Sequence, residues 1–241
     1  MLTPLLKRIE SFGPLQPDEK DAVANVVSRV VNFAAREDII HEGDRASDCT
    51  LILEGYAFRF NHLPDGRRQI TALHIPGDFA DLQGVLLNSI TDGLGTFTPC
   101  KVAFVPHTAL REITKQHPYL ARVLWTITLI DGAIQRQWIT ALGRLSARER
   151  VAHQPCELFV RLKAAGRVED DSCELPITQE EMGDAFGASG VHINRTLQAL
   201  RSSALIELRG KRLTVLDWER LSNLAQFSPD YLHLGQRVAR D

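Results

Sequence analysis

The chain has 241 residues, 44% hydrophobic and 24% charged, with 28 Lys and Arg against 30 Asp and Glu for a formal net charge of −2. That is enough apolar material for one large or two modest domains, and two fits better. No apolar run of about 18 residues marks a membrane span, and Met1 to Arg8 lacks the basic-then-apolar order of a signal peptide, so a cytoplasmic protein with no membrane partner is expected. Cys49, Cys100, Cys156 and Cys173 are far apart and form no Cys-x-x-Cys pair, which argues for buried thiols rather than a zinc or iron–sulfur centre.

In chain order, the first 35 residues read as helical: Thr3-Pro4 has the order of an N-cap followed by proline, and Pro17-Asp18-Glu19 opens a second helix with acids in its first turn. From about Asp38 to Pro106 the text becomes short apolar runs, namely Ile39-Ile40, Thr50 to Leu53, Tyr56 to Phe60, Gln69 to Ile75 and Cys100 to Val105. Turns such as Glu42-Gly43-Asp44, Glu54-Gly55, Pro64-Asp65-Gly66 and Pro76-Gly77-Asp78 separate them, and this spacing predicts an all-β sandwich or barrel.

From His117 the period is helical, with Leu120, Val123, Ile127, Ile130, Ile134, Trp138, Ala141 and Leu145 recurring every three or four residues. A helix of about 28 residues is roughly 40 Å long, more than a small domain needs. The stripe Leu120, Val123, Ile127, Ile130, Ile134, Trp138 and Leu145 is therefore expected to be a homodimer seam, with an internal core helix as the alternative. Ser146 and Glu149 have capping-box spacing and begin a new helix. The domains expected are 1–117, a dimerisation helix 118–145, and 146–241.

The most informative segment runs from Thr178 to Arg201. Thr178 with Glu181 is a capping box, Gly187 a turn, and Ser189 a second N-cap, so two helices meet across a tight turn. On the second helix Ile193, Leu197 and Leu200 share one side, while Val191, Arg195, Gln198 and Ser202 point the other way. Leu205 to Leu208 and Leu213 to Leu216 then read as two strands about Arg209-Gly210-Lys211-Arg212. This is a winged helix-turn-helix, and from Gly190 to Arg212 it holds five Lys or Arg against the single acid Glu207. The DNA-contact candidates are Thr178, Gln179, Ser189, Val191, His192, Asn194, Arg195, Gln198, Arg209, Lys211 and Arg212. Arg195 suits bidentate contact with guanine and Val191 offers a methyl surface to thymine. After the wing, Asp217 to Phe227 looks like a capped helix covering the core of the DNA-binding domain, with a tail to Asp241.

The order of these parts, with His41-Glu42-Gly43-Asp44, Leu53-Glu54-Gly55-Tyr56 and Pro76-Gly77-Asp78-Phe79, resembles the CRP/FNR family of bacterial transcription regulators over nearly the whole chain. The resemblance implies an α+β architecture: an N-terminal cyclic-nucleotide-binding-like β-roll with flanking helices, a long dimerisation helix and a C-terminal winged helix-turn-helix. It also implies a homodimer on double-stranded promoter DNA, with RNA polymerase as a partner. Members that bind cyclic AMP carry Gly-Glu and Arg-Ser/Thr-Ala where this chain has Asp81-Leu82 and Ile90-Thr91, so a phosphate would lose its cation and meet a carboxylate. Cyclic AMP is therefore not expected as effector, and the absence of cysteine before Cys49 argues against an iron–sulfur sensor. No cofactor is expected. An effector of another kind has as candidate contacts Asp81, Leu82, Thr91, Gln135 and Arg136. Many members carry Glu at the position of Val191 and Arg at that of Arg195, which implies a shared guanine contact and one altered base in the half-site.

The competing readings belong to other classes. A cupin-type β-roll enzyme needs clustered ligands such as His-x-His, and residues 36–110 contain none, so no enzyme is expected. Haem or metal sensing would draw on His41, His62, His74, His107, His117 or His153, which are scattered. A small-molecule or haem-sensing roll whose winged helix makes protein contacts is the remaining alternative, and the cations Arg195, Arg209, Lys211 and Arg212 argue against it.

Overall fold

The computed structural model describes residues 2–87 and 91–240, and the chain divides into two compact units. The first takes 1–62, 71–132 and 235–241; the second takes 63–70 and 133–234. Two departures from the expected boundaries stand out: the tip 63–70 groups with the helical second unit, and residues 235–240 return to the first.

The first unit begins with helices α1 (Thr3–Glu10) and α2 (Pro17–Ala24), the latter opened by a reciprocal Gln16–Glu19 capping box. The strand β1 (Arg29–Phe33) follows, where a helical reading had been expected. Its Val30-Val31 pair is β-branched, and the segment pairs antiparallel with a strand more than 60 residues on, a partner invisible to local pattern. The roll continues with β2 (Asp38–Ile40), β3 (Asp48–Glu54), β4 (Ala57–His62), β5 (Arg68–His74), a 3-10 turn at Leu82–Val85, β6 (Gly93–Thr96) and β7 (Cys100–Pro106). Two sheets result, in orders β1-β7-β3 and β2-β6-β4-β5. Ile40, Ile52, Leu94, Val102 and Phe104 form part of one buried cluster.

β6 reads Gly-Leu-Gly-Thr, a poor strand by propensity. Its register explains it: Gly95 lies opposite Phe58 and Gly93 opposite Phe60, and a Cβ on either glycine would run into the facing ring. The rings fill the space the glycines leave, with Phe97 4.4 Å from Phe58 between centroids.

After α3 (His107–Gln116), helix α4 (Pro118–Arg144) runs for 27 residues. The expected seam residues are buried within this chain: Leu120 is 1% exposed, Val123 0%, Ile127 7%, Ile130 3%, Ile134 8% and Trp138 6%, with Leu145 half-buried. Leu145 apart, they are core residues, which corrects the seam assignment for those six. A long helix first covers its own domains, and the most continuous apolar stripe serves that need. At 100° per residue the side roughly 180° away carries Trp125, Leu129 and Ile139, which are 69%, 58% and 68% exposed.

The second unit contains the end of α4, then α5 (Ala147–Ala164), β8 (Ser172–Glu174), α6 (Gln179–Phe186), α7 (Gly190–Ser202), β9 (Ile206–Arg209), β10 (Arg212–Val215), α8 (Trp218–Leu224) and a 3-10 turn at Asp230–Leu232. The β8-β10-β9 sheet is antiparallel, and α8 covers the core through buried Leu221 and Ala225. A buried polar network ties α4 to α5: Trp138 Nε1 donates to Glu157 Oε2 at 3.0 Å, and the Tyr231 hydroxyl donates to the same oxygen at 2.8 Å. The Arg161 guanidinium balances the charge at 3.3 Å.

Candidate nucleic-acid interface

Local chemistry sets the angle between α6 and α7. Thr178 Oγ1 accepts from Glu181 N while Glu181 reaches back to Thr178 N, Gly187 turns left-handed at φ +61°, and Ser189 accepts from His192 N. A side chain at 187 would strain that turn. The apolar stripe Ile193, Leu197 and Leu200 is 0%, 3% and 0% exposed and docks α7 on the unit's interior.

The outward face of α7 then presents Val191, 81% exposed, with exposed Arg195, Gln198, Arg201 and Ser202. Arg195 Nη2 lies 3.3 Å from His192 Nδ1, so the imidazole helps orient the guanidinium. Arg201 is a cation of this face that the candidate set omitted. Other candidates have structural partners. Thr178 and Ser189 are the caps, and Asn194 Nδ2 donates to Gln179 Oε1 at 3.0 Å, joining α7 to the first turn of α6.

The wing turn lies at Gly210-Lys211, between paired Arg209 and Arg212. Arg209 is engaged by Glu207, with Nε donating at 2.7 Å, so Lys211 and Arg212 carry most of the wing's unbalanced charge. The tip 63–70 bears on the same unit. Arg68 Nε and Nη2 donate to Asp184 Oδ2 on α6 at 3.0 and 2.9 Å, and Gln69 Nε2 donates to Ala185 O.

The effector candidates are dispersed. Asp81 is 2% exposed and its oxygens accept from Thr50 N at 2.6 Å and Thr50 Oγ1 at 2.9 Å. Burial pushes its carboxyl up to about 7, against the Thr50 hydrogen bonds and the Arg59 charge. Asp81 is thus an internal brace rather than a lining group. Leu82 is half-buried, Thr91 is exposed and bonds to Asp92, and Ile90 lies outside the described residues. Gln135 and Arg136 lie in the second unit's part of α4, Arg136 exposed. The signal missed in the sequence is Arg59 on β4. Its side chain is 6% exposed, Nη2 pairs with Asp131 of α4, and Nη1 is 3.8 Å from Asp92. The separation of 72 positions from Arg59 to Asp131 hides that pair from any local motif.

The histidines do not converge. His62 bonds Glu42, His117 lies near Asp18, and His153 is buried between Ala225 O and the Tyr231 hydroxyl. Among the described residues no three His, Cys, Asp or Glu gather as a metal site. All four thiols are buried; burial pushes Cys49 up strongly, Cys156 to about 12, and Cys100 and Cys173 to about 11, which keeps them protonated.

Residues 30–117 match a family model described as a cyclic nucleotide-binding domain, and residues 149–224 match one described as a Crp-like helix-turn-helix domain. The nitrogen fixation regulation protein FixK of Bradyrhizobium diazoefficiens is 30% identical over 204 residues, covering 83% of each chain. The transcriptional activator protein FnrL of Cereibacter sphaeroides is 28% identical over 195 residues, 79% of this chain and 77% of its own. The solved structure of FixK2 from Bradyrhizobium japonicum matches with a TM-score of 0.76 at 25% identity, covering 84% of this chain and 99% of FixK2. No described helix is long and apolar enough to cross a membrane.

Proposed function

The chain belongs to the CRP/FNR family of transcription regulators, and from that premise we propose that it binds promoter DNA as a homodimer. In this reading α7 of each copy enters the major groove of one half-site and the wing turn meets the flanking backbone. The observation that carries it is the outward face of α7, where Val191, Arg195 and Gln198 are exposed while Ile193, Leu197 and Leu200 fix the helix from behind. Arg195 reads guanine, Lys211 and Arg212 contact phosphate, and Val191 substitutes an apolar contact for the glutamate of many relatives.

The dimer forms through the outward side of α4. Trp125, Leu129, Gly132, Arg136, Ile139 and Gly143 recur at alternating steps of four and three residues, the spacing of a coiled-coil seam. Gly132 and Gly143 allow close approach, and three large exposed apolar side chains need a cover.

Cyclic AMP does not control this regulator. Asp81 and Leu82 stand where relatives that bind it have Gly-Glu, which leaves no carboxylate for the ribose hydroxyl, and the Arg59–Asp131 pair makes a direct link from roll to α4. Bound at a promoter, the dimer contacts RNA polymerase, in keeping with relatives named transcriptional activators.

Selection of binding sites from random DNA, with no small molecule added, tests the reading. The expected product is an inverted repeat with a guanine in each half and a base change opposite Val191. Recovery of unrelated sequences, or of single unpaired half-sites, sinks it.

A further inference from the structure

His192 and Arg195 lie three residues apart on α7, so their side chains share one stretch of the helix surface. Long helical side chains lean toward the N-terminus, which brings the Arg195 guanidinium back over the turn that carries His192. That turn is itself fixed, because Ser189 Oγ accepts from His192 N at 3.4 Å. The 3.3 Å approach of Arg195 Nη2 to His192 Nδ1 then has one chemical reading. A guanidinium has donors and no acceptor, so Nδ1 offers a lone pair, and the imidazole in this pair is neutral with its proton on Nε2.

The surroundings give no support to a second proton. α7 packs mainly against α5, α6 and β9. Of their carboxylates, Glu149 and Glu181 serve caps, Glu157, Asp184 and Glu207 pair with Arg161, Arg68 and Arg209, and Glu180 is exposed. Among the described residues, Arg195 is the charged group bonded to the His192 ring. An imidazolium there would set two donors and two positive charges against each other, at the positive end of the α7 dipole. Protonation therefore opens the pair.

We propose that His192 is a positioning residue whose protonation sets how well Arg195 discriminates guanine, a role that rests on the DNA-binding function proposed above. An exposed arginine samples many rotamers, and two-point contact with guanine O6 and N7 uses few of them. Neutral His192 holds the guanidinium near the N-terminal end of α7, the end that meets base edges. Charged His192 releases it and adds a second cation, and phosphate attracts both whatever the base.

The readout is a ratio of affinities, the selected site over the same site with its guanines replaced, at about pH 8 and about pH 5.5, where histidine differs in charge. On acidification the ratio is expected to fall about fivefold while affinity for random DNA rises. His192→Asn places an amide oxygen near the position of Nδ1 and cannot titrate, so it should keep most of the pH 8 ratio at both pH values. His192→Lys is charged throughout and should show the low ratio at both. A ratio independent of pH in the unaltered chain, an asparagine variant that follows the unaltered pH course, or a lysine variant with the full ratio overturns the role. Without DNA, the NMR signal of the Arg195 Nε–H group should shift between the two pH values in the unaltered chain and stay in place in His192→Asn. A signal that does not move in the unaltered chain overturns the pair. If the unaltered chain selects no DNA, the proposed function fails, and the NMR signal still decides whether His192 holds Arg195.

Discussion

Helices α4 and α7 have the same inward design and opposite outward faces. Each turns an apolar stripe to the interior, Leu120 through Trp138 on α4 and Ile193, Leu197 and Leu200 on α7. Behind that stripe α7 carries Arg195, Gln198 and Ser202, whereas α4 carries Trp125, Leu129 and Ile139. The inward face answers the fold's demand for burial; the outward face is free of it, so its composition reports what the helix meets. A cation and an amide suit a polyanion with readable base edges, and three large apolar side chains suit another apolar surface.

The hardest test of that contrast puts the same charge on both outward faces. Leu129→Glu with Ile139→Glu is expected to raise the dimer dissociation constant more than a thousandfold, more than about 4 kcal/mol, because unpaired carboxylates would be buried in the seam. Val191→Glu on α7 should leave the sedimenting mass unchanged. Val123→Glu should instead unfold the chain, since Val123 is 0% exposed. A mass unaffected by the double change on α4 would remove that face as the seam.

How much of this was legible depends on how local its cause is. The caps Thr178–Glu181, Ser146–Glu149 and Ser189, the Gly187 turn and the wing arise within a few residues, and the sequence spells them out. β1 and β6 needed their partners: Val30-Val31 lies among helical signals, and Gly93 and Gly95 make sense only opposite Phe60 and Phe58. On α4 an apolar count finds the inward stripe and passes over the outward one, whose repeat includes Gly132, Arg136 and Gly143. Arg59–Asp131 and Arg240–Glu19 join residues that nothing in the intervening text links.

A second test asks whether the roll is a sound support for α4. Burial raises the Asp81 carboxyl from 3.8 to about 7 in the folded chain, so the fold favours the protonated form. Its stabilising contribution is full below about pH 4 and is lost as pH rises to about 7, a change of about 2–4 kcal/mol. Asp81→Asn keeps an acceptor for Thr50 N and cannot ionise. Its urea midpoint should equal that of the unaltered chain below about pH 4, and exceed it by a margin that grows up to about pH 7 and stays constant above. A difference independent of pH would mean that Asp81 does not titrate in this window.

On α7 the expected effects are smaller and divide by contact type. Arg195→Ala should weaken binding to the selected site by about 1–3 kcal/mol and erase its guanine preference, while Lys211→Ala should weaken all sequences alike and lower the salt slope by about 1. Equal losses on selected and random DNA from both changes would collapse the distinction between base and phosphate contacts.

The smallest effect bears on where the outward face of α7 ends. Asn194 follows Ile193 and precedes Arg195, so position alone makes it a base-reading candidate, yet its amide donates to Gln179 on α6 and it is half-buried. If that bond is its role, Asn194→Ala loses about 0.5–1.5 kcal/mol of stability and leaves the order of preferred bases intact. If Asn194 reads a base, the same change relaxes one position of the half-site while the unfolding midpoint hardly moves. Measuring both on one variant distinguishes them, because a bond between α6 and α7 acts through the population of folded heads and treats every DNA sequence alike. The readable face of α7 would then be Val191, Arg195 and Gln198, with Asn194 fixing the angle at which they are presented.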